Sequence, residues 1–396
     1  MRSGNAEASP APDSTVVFVF GMGRSGSSAL ARVLSLCGGV LPPELVGATE
    51  ANPLGHWEPR DALGLNEAFL SCHGATWHDP TLRLQGEIDV SAEERVAYIS
   101  QIDAFLRSLP EAPLLVIKEP RITALSAFWF EAACQLGLSV RIVIPVRHPE
   151  EVIGSLATRD QASPELSSAL WLKYNLLAER QTRTYPRVFV EYTSLLRDWR
   201  AEVSRIGAAL SLDLAVRDDA AIDEFLKHDL RRQRHTDRIS EVFGSQWVSR
   251  TYAELSAAAR DEPPHSTTLD EVFESYRACE RAFRVALDDF RARLHSSNGH
   301  GDDATDRRPH ITRLIYAVAG RNSQLLSICL HGQWYRERNP DVFAARQDPY
   351  EHWVTYGADE GRLPCDDPLT LLDNLMAARM TGPATPRPQA PESLRK

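Results

Sequence analysis

The feature that most narrows the fold is a block near the N-terminus. A continuous apolar run, Val16 to Phe20 (VVFVF), leads into Gly21-Met22-Gly23-Arg24-Ser25-Gly26-Ser27-Ser28, and helical spacing follows at Leu30, Val33, Leu34 and Cys37. An unbroken β-branched and aromatic run ending at glycine suits a strand buried on both faces. Strand, glycine-rich turn and helix in succession make an anion-binding device. Glycines let the backbone wrap a ligand, while successive amide N–H groups and the helix N-terminus present partial positive charge. The spacing G-x-x-x-x-G-S-S is that of a nucleotide phosphate loop, with Ser27 in place of its lysine. Nucleotide hydrolases direct that lysine at the β- and γ-phosphates, so its absence argues against nucleotide hydrolysis. Arg24 offers instead a planar fork of donors suited to a tetrahedral oxyanion, and Ser25, Ser27 and Ser28 add hydroxyls.

Leu114 to Ile117, Val140 to Val146 and Arg187 to Tyr192 read as three further buried strands. Helical patterns over Thr123 to Leu136, Pro149 to Ala157 and Pro164 to Thr184 separate them, and helical patterning continues through Val203–Leu210, Ile222–Leu226 and Leu269–Leu294. Strands alternating with helices predict an α/β fold, a P-loop-like three-layer α/β/α arrangement around a central parallel sheet. Residues 1–14 read as a flexible leader, 15–295 as the main domain and 296–309 as a linker with almost no apolar content. Residues 310–367 read as a small helical module, and the proline-bearing 368–396 as a largely disordered tail.

The 396 residues carry 44 Lys and Arg against 54 Asp and Glu, a net charge of −10. A general nucleic-acid binder is usually basic, so an anionic ligand here must meet a local site. No apolar run approaches the ~18 residues of a membrane span, and Met1 to Ser14 lacks the apolar centre of a secretory signal. The six cysteines contain no C-x-x-C pair, which fits reduced thiols rather than a structural zinc. The expected location is the cytoplasm.

A second anion site is predicted in Val146-Arg147-His148-Pro149-Glu150-Glu151-Val152-Ile153-Gly154-Ser155. Arg147 falls at the carboxyl edge of a strand, where ligands bind in open α/β folds, and Ser155 follows on the next helix. The two elements together resemble the cofactor-binding elements of the sulfotransferase family, the loop for the 5′-phosphosulfate and R-x-P…S for the 3′-phosphate. The R-S-G-S-S loop is most similar to those of carbohydrate and tyrosyl-protein sulfotransferases. The resemblance covers residues 15–230 and includes Phe189-Val190-Glu191-Tyr192-Thr193-Ser194-Leu195-Leu196, where Thr193 and Ser194 stand in place of the family's acidic pair.

The resemblance implies 3′-phosphoadenosine 5′-phosphosulfate as co-substrate, no metal, and Gly23, Arg24, Ser25, Gly26, Ser27, Ser28, Arg147 and Ser155 as its binding residues. Sulfuryl transfer to a hydroxyl needs a base, in-line geometry and cations for the developing charge. Lys118 opens Lys118-Glu119-Pro120-Arg121, which resembles the family's "K-D-P" element, where the lysine contacts the donor's sulfate or bridging oxygen. For the base, Glu58 in Asn52-Pro53-Leu54-Gly55-His56-Trp57-Glu58 is the first candidate. His56 is its rival, and Glu44 and Glu50 lie nearby. Trp57, Trp77 and His78 can line an acceptor cleft, though core packing is the simpler expectation for each. Arg231-Arg232-Gln233-Arg234-His235 lies where the family folds a late loop over the 3′-phosphate, but a solvated helix face is the better reading.

The C-terminal stretch Trp334-Tyr335…Asn339-Pro340-Asp341-Val342…Asp348-Pro349-Tyr350-Glu351-His352-Trp353…Gly357…Gly361-Arg362 resembles a module found beside bacterial glycosyltransferases. It inclines the expected acceptor toward a carbohydrate or glycolipid precursor. Two rival readings remain at this stage: a P-loop kinase-like phosphotransferase, and a non-catalytic nucleotide-binding scaffold.

Overall fold

β-Branched runs with no polar face to give to solvent must lie in a sheet covered on both sides. The computed structural model describes residues 14–49, 52, 54–88, 90–227, 238–297, 332–345, 348–357, 360 and 362–365. It gathers four such runs into one parallel sheet: β1 (Thr15–Val19), β2 (Leu114–Lys118), β3 (Ser139–Val146) and β4 (Arg187–Glu191), in the order β2-β1-β3-β4. Val17 of β1 pairs with Val116 on one side and Arg141 on the other. The helices along the chain are α1 (Ser27–Leu36), α2 (Arg60–Cys72), α3 (Ala92–Arg107), α4 (Ile122–Gln135), α5 (Pro149–Asp160) and α6 (Pro164–Gln181). After β4 come α7 (Tyr192–Arg197), α8 (Trp199–Leu210), α9 (Asp219–Lys227), α10 (Trp247–Ala258) and α11 (Ser266–Ser297).

The period-two alternation of β1 assigns the layers. Val16, Phe18 and Phe20 enter a core with Ile102, Trp129 and Trp171 from α3, α4 and α6. Val17 and Val19 enter a second core with Leu30 and Leu34 of α1 and Val203 and Ile206 of α8. Each fully buried side chain of this size contributes about 1.5–3 kcal/mol, so both faces of the sheet are held. The result is the expected three-layer α/β/α arrangement.

The strand order places β1 between β2 and β3, so the chain turns to opposite sides of β1. The carboxyl ends of β1 and β3 therefore flank a crevice at a topological switch point. The glycine-rich loop leaves β1 there, Arg147 leaves β3, Lys118 ends β2 and Tyr192 follows β4.

Four helices, α2, α3, α7 and α10, were not anticipated by the periodicity. The β4 strand ends at Glu191, and Tyr192 opens α7 instead of closing the strand. Helix α11 runs to Ser297 and takes Ser296 and Ser297 from the expected linker. Leader residues 1–13, linker residues 298–309 and the tail 368–396 lie outside the described residues.

Two compact units divide the chain, Met1–Val285 and Ala286–Lys396. The described part of the second has short helices at Gly332–Arg338, Pro340–Ala344 and Pro349–His352, then a π-helical turn, Trp353–Gly357. Tyr335, His352 and Trp353 are buried in it. The Tyr335 hydroxyl lies 3.1 Å from His352 Nδ1, and Trp353 Nε1 donates to the Arg362 carbonyl at 2.7 Å.

Candidate functional site

The loop after β1 takes its shape from residues in the left-handed region: Gly21 at φ 100°, Arg24 at 69° and Gly26 at 94°. Arg24 holds this conformation without being glycine, a cost that concentrates at functional sites. Thr123, at the start of α4, accepts the Gly21 N–H at 2.9 Å. At Gly26 no side chain is possible, because a Cβ would lie 2.3 Å from the Tyr192 ring. Gly26 also caps α1 without a side-chain hydrogen bond, so the helix N-terminus has no internal anion of its own. The Ser25 hydroxyl is buried and finds no hydrogen-bond partner among the described residues.

Two guanidinium groups meet above this loop. Arg24 Nε donates to Ser155 Oγ at 2.9 Å, joining the loop to α5. Arg147 Nη1 donates to the Arg24 carbonyl at 2.9 Å, its Nε pairs with Glu151 at 2.9 Å, and its guanidinium lies 4.7 Å over the Tyr192 ring. Burial, followed by repulsion from Arg159 and Arg147, pushes the Arg24 pKa down to about 10. That is the signature of a cation whose neighbourhood would gain from an anion. A cavity of about 100 Å³ opens here, lined by Arg24, Gly26, Ser27, Ser28, Arg147 and Tyr192 among others.

A larger adjoining cleft, about 360 Å³, holds Glu58, Lys118 and His56 beside Gly23, Arg24 and Ser28. Lys118 is 3% exposed, forms an ion pair with Glu58 and donates to the His56 carbonyl at 3.2 Å. Ser28 Oγ reaches the same carbonyl at 3.1 Å, which ties the base-bearing segment to α1. Burial pushes the Glu58 carboxyl up, but the charge and hydrogen bond of Lys118 outweigh it and hold the group below its ordinary value. His56 is pushed down, chiefly by burial, and is therefore neutral at pH 7; its Nε2 lies 2.9 Å from Thr49 Oγ1.

Nine of the eleven predicted site residues line two adjoining hollows at the carboxyl edge of the sheet; Ser155 joins them through Arg24, and Ser25 lies buried in the loop. Other expectations did not meet the site. Glu44 is exposed, while Glu50 and Arg231 to His235 lie outside the described residues. Trp57 turns away to pack on Phe225 and under Arg32, and His78 faces Asp160 at 3.7 Å. Trp77 does line the larger cleft. Sequence reasoning gave no role to Tyr192, Arg121, Arg159 or Asp160. For Tyr192 a signal was present, since it is the first residue past a strand at the edge where ligands bind.

No family model matches the chain, and no curated protein matches it. Among solved structures it is similar to the sulfotransferase domain from the Synechococcus PCC 7002 olefin synthase, at 18% identity and a TM-score of 0.33, over 70% of this chain and 98% of that one. It is also similar to the sulfotransferase domain from the curacin biosynthetic pathway, at 18% identity and a TM-score of 0.32, over 50% of this chain and 74% of that one. Likeness at this level bears on neither activity nor acceptor.

Proposed function

We propose that this chain is a sulfotransferase that moves the sulfuryl group of 3′-phosphoadenosine 5′-phosphosulfate to an acceptor hydroxyl. The observation that carries the reading is the Arg147–Arg24–Ser155 constellation set over a glycine loop that has an unsatisfied buried serine hydroxyl. Two anionic groups fit that arrangement: one cradled by loop amides, Ser25, Ser27 and Ser28, and one met by Arg147 and Ser155. The absence of a loop lysine disfavours a donor with a γ-phosphate.

In this reading the acceptor oxygen attacks sulfur as the bond from sulfur to the 5′-phosphate oxygen breaks. Glu58 takes the hydroxyl proton, and the leaving bisphosphate keeps the electron pair of the broken bond. Protonation cancels the charge of Glu58 and so releases the ammonium of Lys118 to the oxygen where negative charge develops. His56 is the alternative base, neutral and in the same cleft. Among the described residues there is no cluster of three His, Cys, Asp or Glu side chains able to hold a metal, and no helix long and apolar enough to cross a membrane. The finer reading, a carbohydrate or glycolipid acceptor, is supported only by the resemblance of the C-terminal stretch.

The test is transfer of radiolabelled sulfate from the donor to glycans, proteins and phenols of a cell extract, with and without a magnesium chelator. Donor-dependent labelling that survives chelation is expected. Magnesium-dependent ATP turnover without labelling would replace this reading with the kinase one, and tight binding of 3′-phosphoadenosine 5′-phosphate without any transfer would leave a scaffold.

A further inference from the structure

The larger cleft has one aromatic wall, and the molecule spends several buried polar groups on holding it still. Trp77 lies so close to the glycine loop that a Cβ at Gly23 would be 3.3 Å from its ring. Its segment is braced through three carbonyls by donors from two helices. Tyr174 Oη donates to the Trp77 carbonyl at 3.0 Å, Lys173 Nζ to Asp79 at 2.7 Å, and Tyr276 Oη to Pro80 at 2.7 Å. Lys173 and Tyr174 are 1% exposed and Tyr276 4%, so these donors serve the protein interior. Glu280 also accepts the Leu82 N–H at 3.2 Å. A surface loop rarely receives this many internal anchors unless its position matters.

The charges around the cleft tell what Trp77 would face. Apart from Arg24, which lines both hollows, each cation of the cleft lining has a carboxylate: Lys118 has Glu58, Arg121 has Glu119 and Glu67, and Arg159 has Asp160. An anionic acceptor would have to displace a carboxylate that the fold supplies. Val46, Leu63, Trp77 and Pro120 supply the apolar surface of the lining, beside the polar Thr49 and Asn52, and about 360 Å³ lies within the range of small-molecule clefts.

Resting on the sulfotransferase reading, we infer that this cleft is an acceptor subsite for a neutral hydroxyl compound whose apolar face lies on Trp77, with Lys173, Tyr174 and Tyr276 as positioning residues. A sugar ring and an aliphatic hydroxy chain share that chemistry, and paired probes separate them. The first pair is phenyl β-glucoside and phenyl β-glucuronide; the second is a long-chain 3-hydroxy amide and the matching 3-hydroxy acid. Each is measured by ligand-observed NMR with the full chain saturated by 3′-phosphoadenosine 5′-phosphate, and as an acceptor of labelled sulfate.

The neutral member of at least one pair should bind about tenfold more tightly than its acid. Trp77→Ala should weaken that probe about tenfold while leaving bisphosphate affinity within about twofold. Trp77→Phe should fall between, which guards against a folding artefact. Tyr276→Phe should raise the acceptor KM with kcat and bisphosphate affinity little changed. Preference for the acids, binding of neither neutral probe at millimolar concentration, or indifference to Trp77→Ala would overturn the inference. Failure of the wild-type chain to bind the bisphosphate at all would instead overturn the sulfotransferase reading, and this inference with it.

Discussion

Arg147 is built into the protein before any ligand arrives, because Glu151, the Arg24 carbonyl and the Tyr192 ring each hold one part of its guanidinium. A charge-assisted bond to an anion contributes about 1.5–3 kcal/mol. Arg147→Ala should therefore weaken 3′-phosphoadenosine 5′-phosphate binding by about tenfold or more and abolish preference over the 3′-hydroxyl analogue. Glu151 is 1% exposed and would lose the Arg147 guanidinium, so the substitution is paired with Glu151→Gln to keep the fold. Calorimetry with both ligands checks this, and equal loss of the two would remove Arg147 from the 3′-phosphate. At Glu58 the question is chemical. Glu58→Gln keeps size and hydrogen-bonding reach but removes basicity, and should cost at least about 100-fold in turnover with bisphosphate affinity retained. His56→Ala should cost less. Because Lys118 holds Glu58 ionised, the acid limb of the pH–rate profile should lie below the ordinary glutamate value of 4.5. A limb near neutrality, with Glu58→Gln close to wild type, would transfer the role of base to His56.

Among the elements, those that carry the site were the legible ones. Strands buried on both faces are largely apolar runs, and a glycine or proline follows the carboxyl ends of β1, β2 and β3, so β1 to β4 and the loop after β1 were readable within a residue or two. The helices α2, α3 and α10 were not, because their apolar stripes are narrow and charged residues interrupt them, and α7 was missed because it spans only Tyr192–Arg197 and follows β4 directly. A capping box joining Ser91 and Glu94 marks the start of α3 and was the available clue. The brace on Trp77 could not be read either, since α6 and α11 converge on residues 77–82 only through the tertiary fold. That brace carries a stability signature. Burial pushes Lys173 down to about 8 from an unfolded value of 10.5, with Asp79 opposing. Between those values the unfolded chain keeps a proton that the native chain has released, so this group's contribution to stability rises with pH across the window. Urea unfolding at pH 7.5, 9 and 10.5 should show the wild type gaining on Lys173→Met as pH rises. A constant difference would mean that Lys173 titrates normally in the fold.

At the scale of the whole molecule, the two units have separate cores, and every residue assigned to the site lies in the first, Met1–Val285. The second closes around Tyr335 and Trp353, both fully buried. Gly357 is what lets that closure happen: a Cβ there would come within 2.3 Å of the Tyr335 hydroxyl and 3.1 Å of the Trp353 ring. Neither aromatic has room to retreat, and Tyr335 would also lose its alignment with His352. Overpacking of this kind typically costs about 1–3 kcal/mol, a large share of the stability of a unit this small. Gly357→Ala should therefore accelerate amide hydrogen exchange across residues 332–365 while leaving exchange in β1 to β4 unchanged. Affinity for 3′-phosphoadenosine 5′-phosphate should stay within about twofold, because the Arg24–Arg147–Ser155 constellation lies in the first unit. A parallel loss of bisphosphate affinity would show that the two units fold as one cooperative body, and that the C-terminal stretch is part of the machinery that shapes the donor site.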